Sequence, residues 1–281
     1  MMVRLKTKDC FQTTDPEYEI VGFIFAKEVI MKKIKLENKN IHKGNLILVN
    51  EEHPIEEKYA ANDTALVGID FWNQNILLDY VAAKELSHLL TELECGNDII
   101  PVKGYENTAS VHPMKDSEHS TGLAVDLSAN IINKTSMMSG FPKKGVCKEF
   151  RNIASKHGFI ERYPKAKEDV TGVEYQPGHF RYVGYPHSII MEELDITMEE
   201  YLKVIEDYSS ENKTFSYRDK ENLYEIYKVK ADKNESTVVE MPDNIPFTVS
   251  GNNIDGFIMT LKKRASLSLF AKQRKVIILP G

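Results

Sequence analysis

Ten residues, SEHSTGLAVD at 117–126, constrain the fold of this chain more than any other stretch. They set a histidine, His119, and a carboxylate, Asp126, on either side of the small residues Gly122 and Ala124. Leu123, Val125 and Leu127 alternate with polar or small positions, the period of a strand with one buried face. A loop turning into such a strand carries both polar groups to one end of it. Imidazole and carboxylate are ligand types that hold a catalytic Zn2+ when a third protein ligand arrives from elsewhere.

A second stretch, YQPGHFRYVGYP at 175–186, offers that third ligand. Pro177 and Gly178 set a turn, and Phe180, Tyr182 and Val183 set a short strand that presents His179 beside the first pair. Arg181, two residues on, reads as a structural ion-pair residue.

Together the two segments resemble the zinc D-alanyl-D-alanine carboxypeptidases and dipeptidases of the vancomycin-resistance type (VanY-like and VanXY-like). The likeness extends over roughly residues 40–195. It implies an α+β fold in which a small antiparallel sheet, flanked by helices, carries a zinc site. It also implies Zn2+ held by His119, Asp126 and His179, and Ser117 as a hydrogen-bonding contact to substrate. The implied partner is a peptidoglycan precursor or another peptide ending in D-Ala-D-Ala.

This chain departs from the family pattern in two places. The family's general base lies three residues before the last histidine, and that position here is Gln176. An amide orients water but has no basic site near neutral pH to accept its proton. The family's oxyanion-stabilising arginine falls in an SGYR segment, and the corresponding segment here is VKGYE, with Glu106 in its place. Glu174, two residues before Gln176, is a substitute base if the segment runs as an alternating strand, where residues two apart share a face. The resemblance therefore implies a zinc D,D-peptidase with much reduced activity. One alternative is a zinc-binding pseudoenzyme that holds peptidoglycan-type peptides without cleaving them. Another is a different amide substrate, bearing a cationic group that suits Glu106.

Composition narrows the remaining classes. A net charge of −6 with mixed signs gives no basis for binding nucleic acid or an anionic membrane. Cys10, Cys95 and Cys147 are too few and too scattered for a disulfide framework, and their odd number suits a reducing compartment. The apolar run from Ile20 to Ala26 follows acidic residues, lacks a basic flank, and falls short of the roughly 20 residues of a membrane helix. A cytoplasmic location without a membrane span is the expectation.

Periodicity places strands at 18–26, 44–54 and 98–105, and helices at 76–95, at 146–157, and from Thr197 to about Asp207. Thr197 and Glu200 form a capping-box pattern at the start of the last helix. After residue 209 come short β-type runs separated by polar turns. The expected division is an N-terminal extension at 1–29, a peptidase-like domain at 30–208 and a small β-rich domain at 209–281. Trp72 reads as core, and His112, His157 and His187 as ordinary histidines near turns and helix ends.

Overall fold

Alternation at 123–127 is realised in a strand whose Val125 and Leu127 are buried and whose Asp126 stays half-buried on the opposite face. The computed structural model describes residues 30–56, 59, 65–69, 73, 75–106, 117–130, 140–211, 213–265 and 276–278. The expected strand at 18–26, the extension at 1–29, Cys10, Trp72 and His112 lie outside the described residues.

The chain runs β1 (Met31–Leu36), β2 (Leu66–Gly68), β3 (Leu77–Asp79), α1 (Tyr80–Glu92), β4 (Ile99–Lys103) and β5 (Ala124–Ala129). It continues through α2 (Val146–Ala154), β6 (Phe159–Glu161), α3 (Glu168–Thr171), β7 (His179–Tyr182), α4 (His187–Leu194) and α5 (Met198–Ile205). Six strands follow: β8 (Phe215–Arg218), β9 (Asn222–Lys230), β10 (Thr237–Pro242), β11 (Phe247–Gly251), β12 (Gly256–Arg264) and β13 (Val276–Ile278).

The four-stranded sheet, in order β4-β5-β7-β6, is antiparallel throughout. Its apolar face packs under α1 and α2 through Leu86, Leu89, Val125, Leu127, Phe150 and Phe180. That burial frees the other face of β5 and β7 to carry polar groups. A five-stranded sheet, in order β11-β12-β9-β8-β13, forms the β-rich C-terminal region, while β10 pairs antiparallel with β1 near the start of the described chain. A second core joins Val183, Ile189, Met198 and Tyr201 to Ile226, Ile258 and Met259, so apolar packing crosses residue 208 without a break. The α+β architecture with small antiparallel sheets matches the expectation.

Two local readings change. The helix expected from 76 begins at Tyr80, because Leu77–Asp79 pair with β2 and the Asp79 carboxylate accepts from the Val81 N–H at 2.9 Å. The strand expected at 44–54 forms no ladder, although Leu46 to Val49 are buried. Side chains satisfy much of its backbone instead: Arg181 donates to the Ile47 carbonyl (3.1 Å), Asn253 to the Leu48 carbonyl (2.8 Å), and the Leu46 N–H donates to Ser250 Oγ (2.8 Å). Helix α4 has no counterpart in the sequence reading. The capping box at Thr197 and Glu200 forms with both of its hydrogen bonds.

Candidate metal centre

A short 3-10 turn, Glu118–Thr121, delivers the first histidine. It ends at Gly122, whose φ of +72° lies in the left-handed region that glycine enters without a Cβ penalty. The Gly122 N–H donates to the His119 carbonyl at 3.1 Å, which closes the turn and launches β5. Both Glu118 and His119 are thereby turned inward and buried.

Asp126 sits on β5 directly opposite His179 on β7, so the two side chains rise from the same face of the sheet. The turn before His179 is pinned by its own N–H, which donates to the Gln176 carbonyl at 3.2 Å. Gly178 lets this turn lie against β5: a Cβ there would meet the Leu127 carbonyl oxygen at 2.3 Å. That contact explains why no side chain occupies the position preceding the last histidine.

The three side chains converge. Asp126 Oδ1 lies 2.7 Å from His179 Nδ1, and Asp126 Oδ2 lies 3.3 Å from His119 Nε2. One ligand atom from each residue falls within 4.8 Å of the others. Buried His119 Nδ1 and His179 Nε2 have no hydrogen-bond partner among the described residues. Two imidazoles and one carboxylate, gathered this closely, fit the donor set of a zinc site that keeps a position open.

Beneath the triad lies a buried charge network that sequence reading missed. Arg162 Nε donates to Glu118 Oε1 at 2.9 Å and Arg162 Nη1 to Glu199 Oε2 at 3.0 Å, while Arg181 Nη1 lies 3.2 Å from Glu118 Oε1. Arg181 is the structural ion-pair residue expected. The Tyr163 ring stacks on His179 with centroids 5.0 Å apart. Arg181, on the same strand face as His179, was the available signal that a buried carboxylate is needed nearby. Arg162, Tyr163 and Glu199 carry no such signal.

Burial pushes the Glu118 carboxyl up, but Arg162, Arg181 and His179 outweigh it and hold the group well below its ordinary 4.5. Burial likewise opposes ionisation of Asp126, and the hydrogen bonds with His119 and His179 hold it below its ordinary 3.8. Carboxyls depressed on folding stabilise the native state above their unfolded pKa and lose that contribution as pH falls. Metal-free protein should therefore show a denaturant midpoint that falls as pH drops from about 5 to about 2. A midpoint flat across that interval would contradict these assignments.

The other expected site residues lie on or beside the segments that carry the triad. The Glu106 N–H donates to the His119 carbonyl at 3.4 Å, and its carboxylate pairs with Lys103 Nζ at 2.8 Å. Lys103 itself stands opposite Asp126 across β4 and β5. Ser117 precedes the 3-10 turn and its hydroxyl makes no capping bond. Gln176 is exposed, and its backbone N–H donates to the Tyr163 carbonyl at 3.1 Å. Glu174 is exposed in a segment that is not a strand, so the alternation that would align it with Gln176 is absent. His157 bridges to Glu92 on α1 at 2.9 Å, and His187 hydrogen-bonds Tyr201 at 2.6 Å. Cys95 and Cys147 are free and buried.

Residues 102–185 match the family model described as VanY, D-alanyl-D-alanine carboxypeptidase. A D-alanyl-D-alanine carboxypeptidase of Enterococcus faecium is 31% identical over 245 residues, which cover 79% of this chain and 77% of that protein. The bifunctional D-Ala-D-Ala dipeptidase and D-Ala-D-Ala carboxypeptidase VanXYC of Enterococcus gallinarum is 29% identical over 187 residues, 56% of this chain and 93% of that one. Among solved structures, the vancomycin resistance D,D-dipeptidase VanXYg in complex with a D-Ala-D-Ala phosphinate analogue superposes with a TM-score of 0.76. The two are 37% identical, and the match covers 83% of this chain and all of that one (100%).

Proposed function

This chain belongs to the VanY-type D-alanyl-D-alanine carboxypeptidase family, and from that premise we propose that it is a zinc-dependent D,D-peptidase. Its substrates are cytoplasmic peptidoglycan precursors and related peptides ending in D-Ala-D-Ala. The observation that carries this reading is the convergence of His119, Asp126 and His179, from two distant segments, with one ligand atom of each within 4.8 Å of the others. When bound, zinc would polarise the scissile carbonyl and lower the pKa of water at the site.

The chain's own groups divide the remaining work. The Ser117 hydroxyl, free of any capping bond, donates to the substrate. Gln176, one turn before His179, orients water without taking its proton. Glu174 is the nearby carboxylate in the same loop that would have to swing inward to act as base. Glu106 places a negative charge beside the His119 segment, partly offset by Lys103. An absent general base lowers the rate by roughly 10²–10⁴.

That deficit supports a second reading, a zinc-holding protein that binds peptidoglycan-type peptides without cleaving them. The test is D-alanine release from a D-Ala-D-Ala-ended peptide by zinc-loaded protein, with binding of the same peptide measured in parallel. Slow release abolished by a chelator supports the peptidase, and binding without release supports the second reading. Neither binding nor release by zinc-loaded protein contradicts both. No helix among the described residues is long and apolar enough to cross a membrane.

A further inference from the structure

Glu118 is an unusual neighbour for a metal site: a fully buried carboxylate that aims one oxygen at a ligand ring. Its Oε1 receives both arginines, from Arg162 at 2.9 Å and Arg181 at 3.2 Å. Its Oε2 lies 3.5 Å from His179 Nε2, and among the described residues neither atom has a hydrogen-bond partner. The opposite nitrogen of the same ring, Nδ1, faces Asp126 at 2.7 Å. His179 is thus gripped along one axis, with Asp126 at one end and Glu118 at the other.

We infer that Glu118 is a positioning residue. Fixed by Arg162 and Arg181, it accepts a hydrogen bond from the His179 Nε2–H and so leaves Nδ1 directed at Asp126 and free to ligate. This inference rests on the proposed metal site but concerns a different atom of it. A histidine ligand whose far N–H meets a carboxylate is fixed in tautomer and ring orientation and becomes a more basic ligand. The clamp also explains the cost of burying three charges: Arg162 runs on to Glu199 on α5, so the ring is anchored to a helix beyond its own sheet. The Tyr163 ring, stacked on His179 and lying under the Arg162 guanidinium at 4.8 Å, closes one side.

Two substitutions separate positioning from mere packing. Glu118→Asp keeps the charge for the arginines and withdraws the oxygen from His179. Glu118→Gln keeps the reach and loses the charge. Zinc dissociation constants, measured by competition with a chelator, should rise about 10- to 100-fold in both, the scale of outer-shell changes at metal sites. Tyr201→Phe, which removes a different buried hydrogen bond at 2.6 Å from His187, should lose stability yet keep the zinc constant. Nitrogen-15 spectra of the imidazoles supply a readout that needs no metal: a slowly exchanging Nε2 proton on His179, lost in Glu118→Asp. Folded Glu118 variants that bind zinc as tightly as the unaltered chain would overturn the inference. So would rapid exchange of that proton in the unaltered chain, which decides the matter if neither variant folds. If the unaltered chain takes up no zinc, the metal assignment fails, and proton exchange still judges the Glu118 contact.

Discussion

Replacing Gln176 by glutamate should raise D-alanine release by the zinc-loaded protein roughly 10²- to 10⁴-fold. The substitution is close to isosteric, so the turn should persist, with the His179 N–H still donating to the carbonyl of residue 176 as it does now at 3.2 Å. What changes is one atom, from an amide nitrogen that holds its protons to a carboxylate oxygen that accepts one. Residue 176 lies outside the buried network, and its exposed side chain imposes no desolvation cost on the new charge. The gain should appear mainly in kcat, because proton transfer is made in the transition state and not on binding. Under the proposed division of roles, Glu106 would set the remaining ceiling. A negative group where an oxyanion donor is expected costs on the order of 10²–10³, and the two deficits need not multiply. If Gln176→Glu combined with Glu106→Arg remains inert with zinc bound, the proposed division of roles at this site is wrong.

Two members of the triad were readable from sequence because each stands at the edge of an apolar pattern. Asp126 sits between buried Val125 and Leu127, and His179 precedes buried Phe180, so the strand period alone places both on the free face. The capping box at Thr197 was readable for the same reason: its signal is local, within four residues of chain. Glu118 was not readable. It lies between Ser117 and His119 in a motif whose neighbours are small and polar, and its partners Arg162 and Arg181 come from 44 and 63 positions away. The segment at 44–54 failed differently. Its composition suits a strand, but the groups that satisfy its backbone come from Arg181, Ser250 and Asn253, more than a hundred residues distant. Helix α1 shows a third kind of limit, since Leu77 fits the helical period by chance while its backbone is committed to β3.

Removing Asp126 should have the largest effect on the metal. Its two oxygens reach both histidines, at 2.7 Å and 3.3 Å, so Asp126→Ala deletes one ligand and releases the rings that the carboxylate holds together. Loss of affinity beyond the roughly 100-fold that outer-shell changes cost is the expected scale. Activity gained by Gln176→Glu should vanish when Asp126→Ala is added, because among the described residues no other group completes the set with His119 and His179. In the metal-free state the same substitution leaves two buried imidazoles without their shared partner, so stability should fall as well.

Zinc content is the most direct measurement. Purified protein dialysed against trace zinc should carry one ion per chain, and the Asp126→Ala form none under the same conditions. A chain that folds normally and takes up no zinc, or an Asp126→Ala form that retains a full equivalent, would contradict the assignment of His119, Asp126 and His179 as a metal centre.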